Sequence, residues 1–463
     1  MTDILEQLVK VVGQEHVLVG DEIHADYTHD EALTAEPALP LALVRPRSTA
    51  EVADVLRLAS EHGIPVVARG SGTGLSGAAR PRPDGILLAF DRMKTIREID
   101  VDNQVAVVEP GVTLEQLNAE LAPLGLTYPV SPGEQSGSLG GNVATNAGGM
   151  RAVRYGVTRQ HVLGLEVVLA DGTVMRTGGK YSKVSSGYDL TQLLVGSEGT
   201  LAVTTEVIVK VEPRCTEVAT VLAPFTTLEE VAQAVPRIVA SGLNPSILEY
   251  IDVLAMAGIA RSAELDLGVP PEVQAQTSAY LVVVLEGTQA ARIEEDTEAL
   301  ANLLDQLGAL EVYVLPPAAG DALIAAREKA FFAAKAAGSD DIIDAVLPRA
   351  AIPQYLARVG QLGSEHQALI TVCGHVGDGN VHLSLFQPDV EVRKRLTRAI
   401  FASALELGGA ISGEHGIGSE KLPYFLETQD PTSLSLMRAI KRTFDPAGIL
   451  NPDRLLGSIG ENS

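Results

Sequence analysis

Three glycine-rich stretches in the first half of the chain constrain the fold more than any hydrophobic run does. The longest, Ser131-Pro-Gly-Glu-Gln-Ser-Gly-Ser-Leu-Gly-Gly-Asn-Val-Ala-Thr-Asn-Ala-Gly-Gly149, has six glycines and almost no charge. It has too little side chain to build a core of its own. It can let backbone come close to a large planar ligand, because glycine has no Cβ to hold the ligand off. The other two are Arg69-Gly-Ser-Gly-Thr-Gly-Leu-Ser-Gly77 and Gly196-Ser-Glu-Gly-Thr-Leu-Ala-Val203. Three such loops in one half imply one extended cofactor threaded between subdomains. A small substrate would not need so many.

The first loop contains Gly72-Thr-Gly-Leu-Ser-Gly77, a literal match to the dinucleotide pattern G-x-G-x-x-G. A Rossmann loop must open a helix whose N-terminus faces the pyrophosphate. Here Ala78-Ala-Arg-Pro-Arg-Pro83 follows, and two prolines so close forbid that helix. The physics of the loop survives. Closely spaced glycines turn successive N–H groups inward as an anion nest, and Ser71, Thr73 and Ser76 add hydroxyl donors. Phosphate or pyrophosphate is the natural guest.

The second half carries a different signal. Ala368-Leu-Ile-Thr-Val-Cys373 reads as a buried strand and His382-Leu-Ser-Leu-Phe386 as another, with the turn formers Gly377-Asp-Gly-Asn380 between them. A hairpin turning on those four residues makes His375 and His382 a directly opposed cross-strand pair. Such pairs hold their Cβ atoms roughly 4.5–5.5 Å apart, close enough to share a metal ion. Downstream, Glu414 and His415 are adjacent in Gly408-Gly-Ala-Ile-Ser-Gly-Glu-His-Gly-Ile-Gly418. Two histidines and one carboxylate leave an open coordination position, the pattern of a catalytic metal. His415 is then free for proton transfer. The bland alternative is a glycine-rich surface hairpin with exposed histidines.

The chain has 463 residues and a net charge of −24, which argues against nucleic acid as a partner. Its two cysteines, Cys215 and Cys373, give neither a disulfide framework nor an iron–sulfur cluster. The N-terminus lacks a basic start and an apolar run, and Ala279-Tyr-Leu-Val-Val-Val-Leu285 is too short to span a membrane. The expected compartment is the cytoplasm, with room for peripheral attachment at a membrane.

Periodicity predicts a strand at Leu41–Val44, then a helix opened by a Ser48/Glu51 capping box and closed at Gly63, then a strand at Ile64–Arg69. Short strands, helices and turns continue to about Glu212, an α+β or α/β texture. From about 214 to 400, strands at Val218–Leu222, Tyr280–Glu286 and Ala368–Cys373 alternate with long amphipathic helices near 228–241, 289–307 and 391–407. That pattern suggests a sheet covered by helices on one side. The tail ends in a helix to Phe444 followed by Asp445-Pro446 and Asn451-Pro452.

Taken together, Arg69-Gly-Ser-Gly-Thr73, Gly140-Gly-Asn-Val-Ala-Thr-Asn-Ala-Gly-Gly149, Gly196-Ser-Glu-Gly-Thr200, Gly374-His-Val-Gly-Asp-Gly-Asn-Val-His382 and Gly413-Glu-His-Gly-Ile-Gly418 make the chain resemble the FAD-linked oxidases of the vanillyl-alcohol oxidase type. The likeness covers about residues 38–455. It points to the branch of D-lactate dehydrogenase, the glycolate oxidase flavoprotein subunit and D-2-hydroxyglutarate dehydrogenase. The expected protein is α+β in four parts, of which the resemblance implies the last three. An N-terminal helical segment (1–37) precedes a two-subdomain FAD-binding domain (38–213). A substrate domain with an antiparallel sheet and flanking helices (214–407) follows. A helical C-terminal segment (408–463) completes both sites.

The same resemblance assigns roles. Arg69, Gly70, Ser71, Gly72, Thr73, Gly74 and Gly77 would hold the pyrophosphate. Pro132, Ser138, Gly141, Asn142, Thr145 and Gly148 would line the flavin. Glu198 and Gly199 would serve the adenine side, and Asn451 would reach the flavin. Some relatives attach FAD through a histidine in the first loop. Thr73 stands in that neighbourhood here, so the FAD is expected to be noncovalent. His375, His382 and Glu414 would bind a divalent metal, zinc or manganese, with His415 as catalytic base and Asn380, in the hairpin turn, facing the substrate. Arg327 would grip the substrate carboxylate with its planar fork.

The implied reaction is oxidation of a small D-2-hydroxy acid, D-lactate- or glycolate-like, to the 2-oxo acid by hydride transfer to flavin N5. The alternatives are a D-2-hydroxyglutarate dehydrogenase and the flavoprotein subunit of a larger complex. A separate electron acceptor is expected: a quinone, a cytochrome or an electron-transfer flavoprotein. A homodimer is one assembly the resemblance admits. Two departures stand out. Relatives using 2-hydroxyglutarate carry a lysine after the arginine helix, where this chain has Asp340-Asp-Ile-Ile-Asp-Ala-Val346, which favours a small or apolar acid. The usual Asn-Pro-Gly-Lys appears as Asn451-Pro-Asp-Arg454, which leaves the loop after Asn451 open.

Overall fold

The structure is a computed structural model and describes residues 2–457. In the first lobe, β1 (Val17–Leu18), β2 (Ala42–Val44), β3 (Val66–Arg69) and β4 (Ile86–Ala89) form one sheet in the order β1-β2-β4-β3. The three longer strands run parallel, which requires a crossover between β2 and β3. Helix Thr49–His62 supplies it. Ser48 Oγ caps its first turn by accepting from Glu51 N–H at 3.3 Å. Val52, Val55, Leu56 and Ala59 recur at helical spacing and are buried. Gly63 ends the helix at φ +63°, a left-handed turn that favours glycine. The expected capping box is only half formed, because the Glu51 carboxylate accepts from Arg47 N–H and not from Ser48 N–H. Helix Thr2–Val12 buries Ile4, Leu8 and Val12 in this same core, so the N-terminal segment packs as part of the first lobe.

A second sheet begins with β5 (Ile96–Asp100) and β6 (Val105–Val108). After it, β7 (Leu126–Thr127) stands aside to pair with β11 (Glu212–Pro213). Strands β8 (Val162–Val168), β9 (Val174–Gly178) and β10 (Val203–Lys210) complete the order β5-β6-β10-β8-β9, antiparallel throughout. Segment 70–85 contains no helix, as its prolines require. The second glycine stretch is less irregular than expected. Ser138 caps a short helix over Leu139–Thr145, which ends at Asn146 in the left-handed region.

The second lobe is one eight-stranded sheet, antiparallel in every pair. Its strands are β12 (Glu217–Phe225), β13 (Ile247–Asp252), β14 (Ala279–Gly287), β15 (Tyr313–Leu315), β16 (Asp341–Val346), β17 (Leu369–Gly374), β18 (Asn380–Phe386) and β19 (Ala410–Ile411). They lie in the order β15-β12-β14-β13-β17-β18-β16-β19. Helices cover both faces, not one. Val221, Leu248, Leu281 and Val283 face helices Leu228–Ala240, Ala290–Gln306, Ile352–Glu365 and Val390–Glu406. Leu222, Ile251, Tyr280 and Val282 face helices Val253–Ser262 and Pro317–Glu328. The cause is visible in β14, where Ala279 through Glu286 are all buried. An uninterrupted apolar strand must hide both faces, at about 1.5–3 kcal/mol per buried Val or Leu side chain.

After helices Leu422–Thr428 and Pro431–Phe444 the chain returns to the first lobe. Val66 N–H donates to Ile449 O and Asn451 N–H to Val66 O, both at 2.8 Å. The C-terminal segment thus lies along β3 and brings Asn451 to the first glycine loop.

Candidate active site

The glycine loops meet around one cavity of about 1390 Å³ including its open mouth. Every residue expected to hold the cofactor lines it except Gly77. The walls are drawn together by backbone contacts that only glycine allows. A Cβ on Gly70 would fall 1.9 Å from Ser138 Oγ, and one on Gly149 would fall 1.7 Å from Ser131 O. Ser71 N–H donates to Ser138 Oγ at 3.3 Å, and Ser71 Oγ–H to Ser136 O at 2.6 Å. Asn142 Nδ2 and Asn451 Oδ1 are buried without partners, a donor and an acceptor that a ligand in the cavity could satisfy. Glycine-lined walls and unmet polar groups together fit a large cofactor with polar edges.

Several expected cofactor residues do structural work first. The Arg69 guanidinium donates to Asp26 O at 2.7 Å and His29 O at 2.6 Å, and it lies beneath Gly72. The buried Glu198 carboxylate accepts from Ile417 and Gly418 N–H at 2.6 and 2.7 Å. Burial raises its pKa, and those two amides partly offset the rise. Glu198 therefore ties the third glycine loop to the segment bearing Glu414 and His415. Gly77 O accepts from Arg454 Nε–H at 2.8 Å. That contact gives the Arg of the altered Asn-Pro-Asp-Arg segment a partner in the first glycine loop. Arg454 also donates to Arg80 O at 3.1 Å, and Asp453 pairs with Arg82, so the tail clamps the end of the first loop.

The hairpin of β17 and β18 places the histidines, but not in the expected register. Cys373, not His375, lies opposite His382. The turn occupies residues 375–379, with Asp378, Gly379 and Asn380 N–H all directed at His375 O, and Asn380 begins β18 instead of sitting in the turn. The turn begins two residues earlier than expected and ends one residue earlier, which moves the partner of His382 by two positions and preserves each residue's face. The rings still meet, with centroids 4.7 Å apart. Glu414 Oε1 closes the group at 3.1 Å from His375 Nε2 and 3.2 Å from His382 Nε2. The three ligand atoms lie within 4.8 Å of one another. His415 stacks on His382 at 5.0 Å.

Sheet order explains the convergence. The hairpin is flanked by β13 on one side and by β16 and β19 on the other. Each neighbour contributes a carboxylate that sequence reading missed. Glu249 on β13 is fully buried. It accepts from His375 Nδ1–H at 2.5 Å, and its other oxygen lies 2.7 Å from Arg327 Nη2. Asp344 on β16 stands opposite His382. Its Oδ2 accepts from Gly413 and Glu414 N–H at 2.7 and 2.8 Å. Its Oδ1 pairs with Lys421 Nζ at 2.6 Å and lies 3.3 Å from His415 Nδ1. The available signal was a lone acid inside an apolar strand, in Ile247-Leu-Glu-Tyr-Ile and Asp341-Ile-Ile-Asp-Ala-Val.

The charges make this a site that wants a cation. With the imidazoles neutral, as metal ligands are, Glu249, Glu414 and Asp344 face Arg327 and Lys421, so three carboxylates meet two cations and one negative charge remains. Burial alone would lower the His375 pKa, but Glu249 and Glu414 raise it well above the usual value. The same burial would raise Glu414, yet His375 and His382 hold it well below the carboxylate range. Two imidazole nitrogens, one carboxylate oxygen and a net negative surround fit a divalent ion. Burial takes His415 down to about 3, so its ring is neutral. The Glu414 carboxylate joins the two sites: it lines the cofactor cavity, and a Cβ on Gly148 would come within 2.8 Å of its Oε2.

Residues 214–455 match the C-terminal domain of FAD linked oxidases, and residues 40–178 match an FAD binding domain. The chain belongs to the FAD-linked oxidase family. An FAD-linked oxidoreductase of Mycobacterium tuberculosis, Rv2280, is 54% identical over 457 residues, 99% of this chain and all of that one. Glycolate oxidase subunit GlcD of Bacillus subtilis is 37% identical over 98% of this chain and 96% of its own length. A D-lactate dehydrogenase of Anaerostipes hadrus is 37% identical over 96% of each chain. In fold, this FAD-linked oxidase is similar to p-cresol methylhydroxylase, with a TM-score of 0.84 at 18% identity over all of this chain and 98% of that one. It is thus an FAD-linked oxidoreductase with the vanillyl-alcohol oxidase type of fold. Among the described residues no helix is long and apolar enough to cross a membrane.

Proposed function

We propose that this enzyme oxidises a small D-2-hydroxy acid, D-lactate- or glycolate-like, to the 2-oxo acid. One observation carries the reading: Glu414 and His415 line the cofactor cavity while Glu414 also completes the His375–His382 cluster. When bound, noncovalent FAD supplies the two-electron acceptor, and zinc or manganese on His375, His382 and Glu414 makes the substrate hydroxyl more acidic.

The chain's own residues do the rest. Arg327 is 6% exposed; its Nη2 lies 2.7 Å from Glu249, while its Nε is buried without a partner and is left as a donor for a substrate carboxylate. His415 faces Asp344 with Nδ1, which leaves Nε2 to accept the hydroxyl proton. A neutral imidazole is the form a proton acceptor needs. Its low basicity calls for a hydroxyl that has already been acidified. Asn380 is buried with Oδ1 unpartnered and stands beside the same loop as a further polar contact. Lys421 is committed to Asp344, so it does not supply the second cation a dicarboxylate would need. Two cysteines cannot build a cluster to receive electrons. They therefore leave to a separate acceptor, a quinone, a cytochrome or an electron-transfer flavoprotein.

The test is an anaerobic flavin-bleaching screen with D-lactate, glycolate and D-2-hydroxyglutarate, with and without chelator. Bleaching by one of the first two that chelator abolishes is the expected result. Bleaching by D-2-hydroxyglutarate alone would replace the substrate assignment, and bleaching indifferent to chelator would remove the metal's part.

A further inference from the structure

Glu249 is a buried carboxylate whose two oxygens face two different groups of the site, a ligand histidine and Arg327. One oxygen accepts from His375 Nδ1–H at 2.5 Å, and the other lies 2.7 Å from Arg327 Nη2. Glu249 directly precedes the stretch where β13 pairs with β17, in which Tyr250 lies opposite Gly374, the residue just before His375. Arg327 comes from the last turn of helix Pro317–Glu328, which packs on that face of the sheet. All three side chains are buried, with exposures of 0% for Glu249, 6% for Arg327 and 6% for His375. Glu249, with no exposed surface, has no water to exchange for either partner.

We propose that Glu249 is a positioning residue shared by the metal cluster and the carboxylate grip. By accepting from Nδ1–H it fixes the His375 tautomer, so that the Nε2 lone pair faces His382 and Glu414. By facing Nη2 it holds the Arg327 guanidinium in place and balances its charge. A carboxylate is the side chain that suits both partners, since both present N–H. An amide cannot. If the Gln oxygen faces His375, its NH₂ is turned on Arg327. If the oxygen faces Arg327, its NH₂ meets Nδ1 and forces the proton onto Nε2, the nitrogen the metal needs. The inference rests on the proposed metal site and extends it to a residue that touches no metal.

The test uses the full-length FAD-loaded protein and zinc alone as the probe, with affinity read by equilibrium dialysis against competing chelator. Flavin absorbance and circular dichroism check that each variant is folded. Glu249→Gln is expected to bind zinc 10- to 100-fold more weakly, the usual loss when a group orienting a ligand histidine is changed. A loss of less than tenfold overturns the proposal. The charge-balanced double variant Glu249→Gln/Arg327→Met frees the Gln oxygen for His375 alone. It is expected to regain zinc affinity to within tenfold of the wild type, which a residue with a merely structural role would not do. A double variant that stays more than tenfold weaker overturns the shared role. If Glu249→Gln does not fold, the double variant decides the matter by the same criterion. Wild-type protein that binds no zinc would refute the metal reading itself. Wild-type binding left unchanged by Glu249→Gln would refute only the role of Glu249.

Discussion

Asp344→Asn should loosen the segment that carries Glu414 and His415. Asp344 is fully buried. One oxygen serves the N–H groups of Gly413 and Glu414, and the other serves Lys421, itself 4% exposed. Asparagine has one oxygen and one NH₂. Either the amides or the ammonium must then face an N–H group in place of an oxygen. Breaking a buried ion pair from one side costs about 3–5 kcal/mol, because the stranded charge has no water to turn to. Hydrogen bonds to a charged acceptor are worth about 1.5–3 kcal/mol against 0.5–1.5 for neutral pairs, so the amides alone lose about 1 kcal/mol each. The pair dominates. A local opening made cheaper by about 3–5 kcal/mol speeds amide exchange by roughly two to three and a half orders of magnitude. Hydrogen exchange of the flavin-loaded protein, followed by mass spectrometry over residues 412–421, measures that factor directly. Adding Lys421→Met removes the stranded charge and should recover most of the protection. Exchange in Asp344→Asn within threefold of the wild type would show that Asp344 does not hold this segment.

Three other outcomes are expected. Burial raises Asp252 to about 6 from 3.8, so the folded protein binds the extra proton between those values. Stability should therefore fall by about 3 kcal/mol as pH rises from about 4 to 6. Asp252→Asn, which can still cap helix Val253–Ser262, should lack that slope; parallel denaturation curves for the two proteins across the window would contradict it. In Gly413→Ala the new Cβ would lie 2.5 Å from Asn380 Oδ1. Overpacking of that kind costs about 1–3 kcal/mol and should displace Glu414, weakening zinc binding severalfold by dialysis. Unaltered melting and zinc binding would refute the crowding. Arg454→Met removes two hydrogen bonds from a charged donor to the loop at Gly77 and Arg80, worth about 1.5–3 kcal/mol each. Flavin should then be lost on dilution, as measured by free-flavin fluorescence, and full retention would exclude the clamp.

Much of the site was legible in the order of the motifs. The glycine stretches announced a cofactor cleft, because runs without side chains can do little else than admit close backbone approach. The pattern of two histidines with Glu414-His415 named the side chains that come together. What could not be read were distances and partners. The hairpin register came out two positions away from expectation, since the placement of the turn depends on where Gly379 takes its positive φ of 96°. Coverage of the sheet on both faces was written in the apolar run of β14, but the adjacent helices suggested only one layer.

Residue chemistry and spacing determined which loops hug a cofactor and which side chains can hold a metal, because those properties are local to a few residues. Packing determined what steers them. Glu249 lies 126 residues from His375, and Asp344 lies 70 from Glu414. Glu198 meets Ile417 across 219 positions. Nothing in a single strand reveals that its lone acid will face a histidine instead of solvent. Only the neighbour order β13-β17-β18-β16 sets buried carboxylates on both sides of the hairpin, where low dielectric makes each contact strong enough to fix a ring.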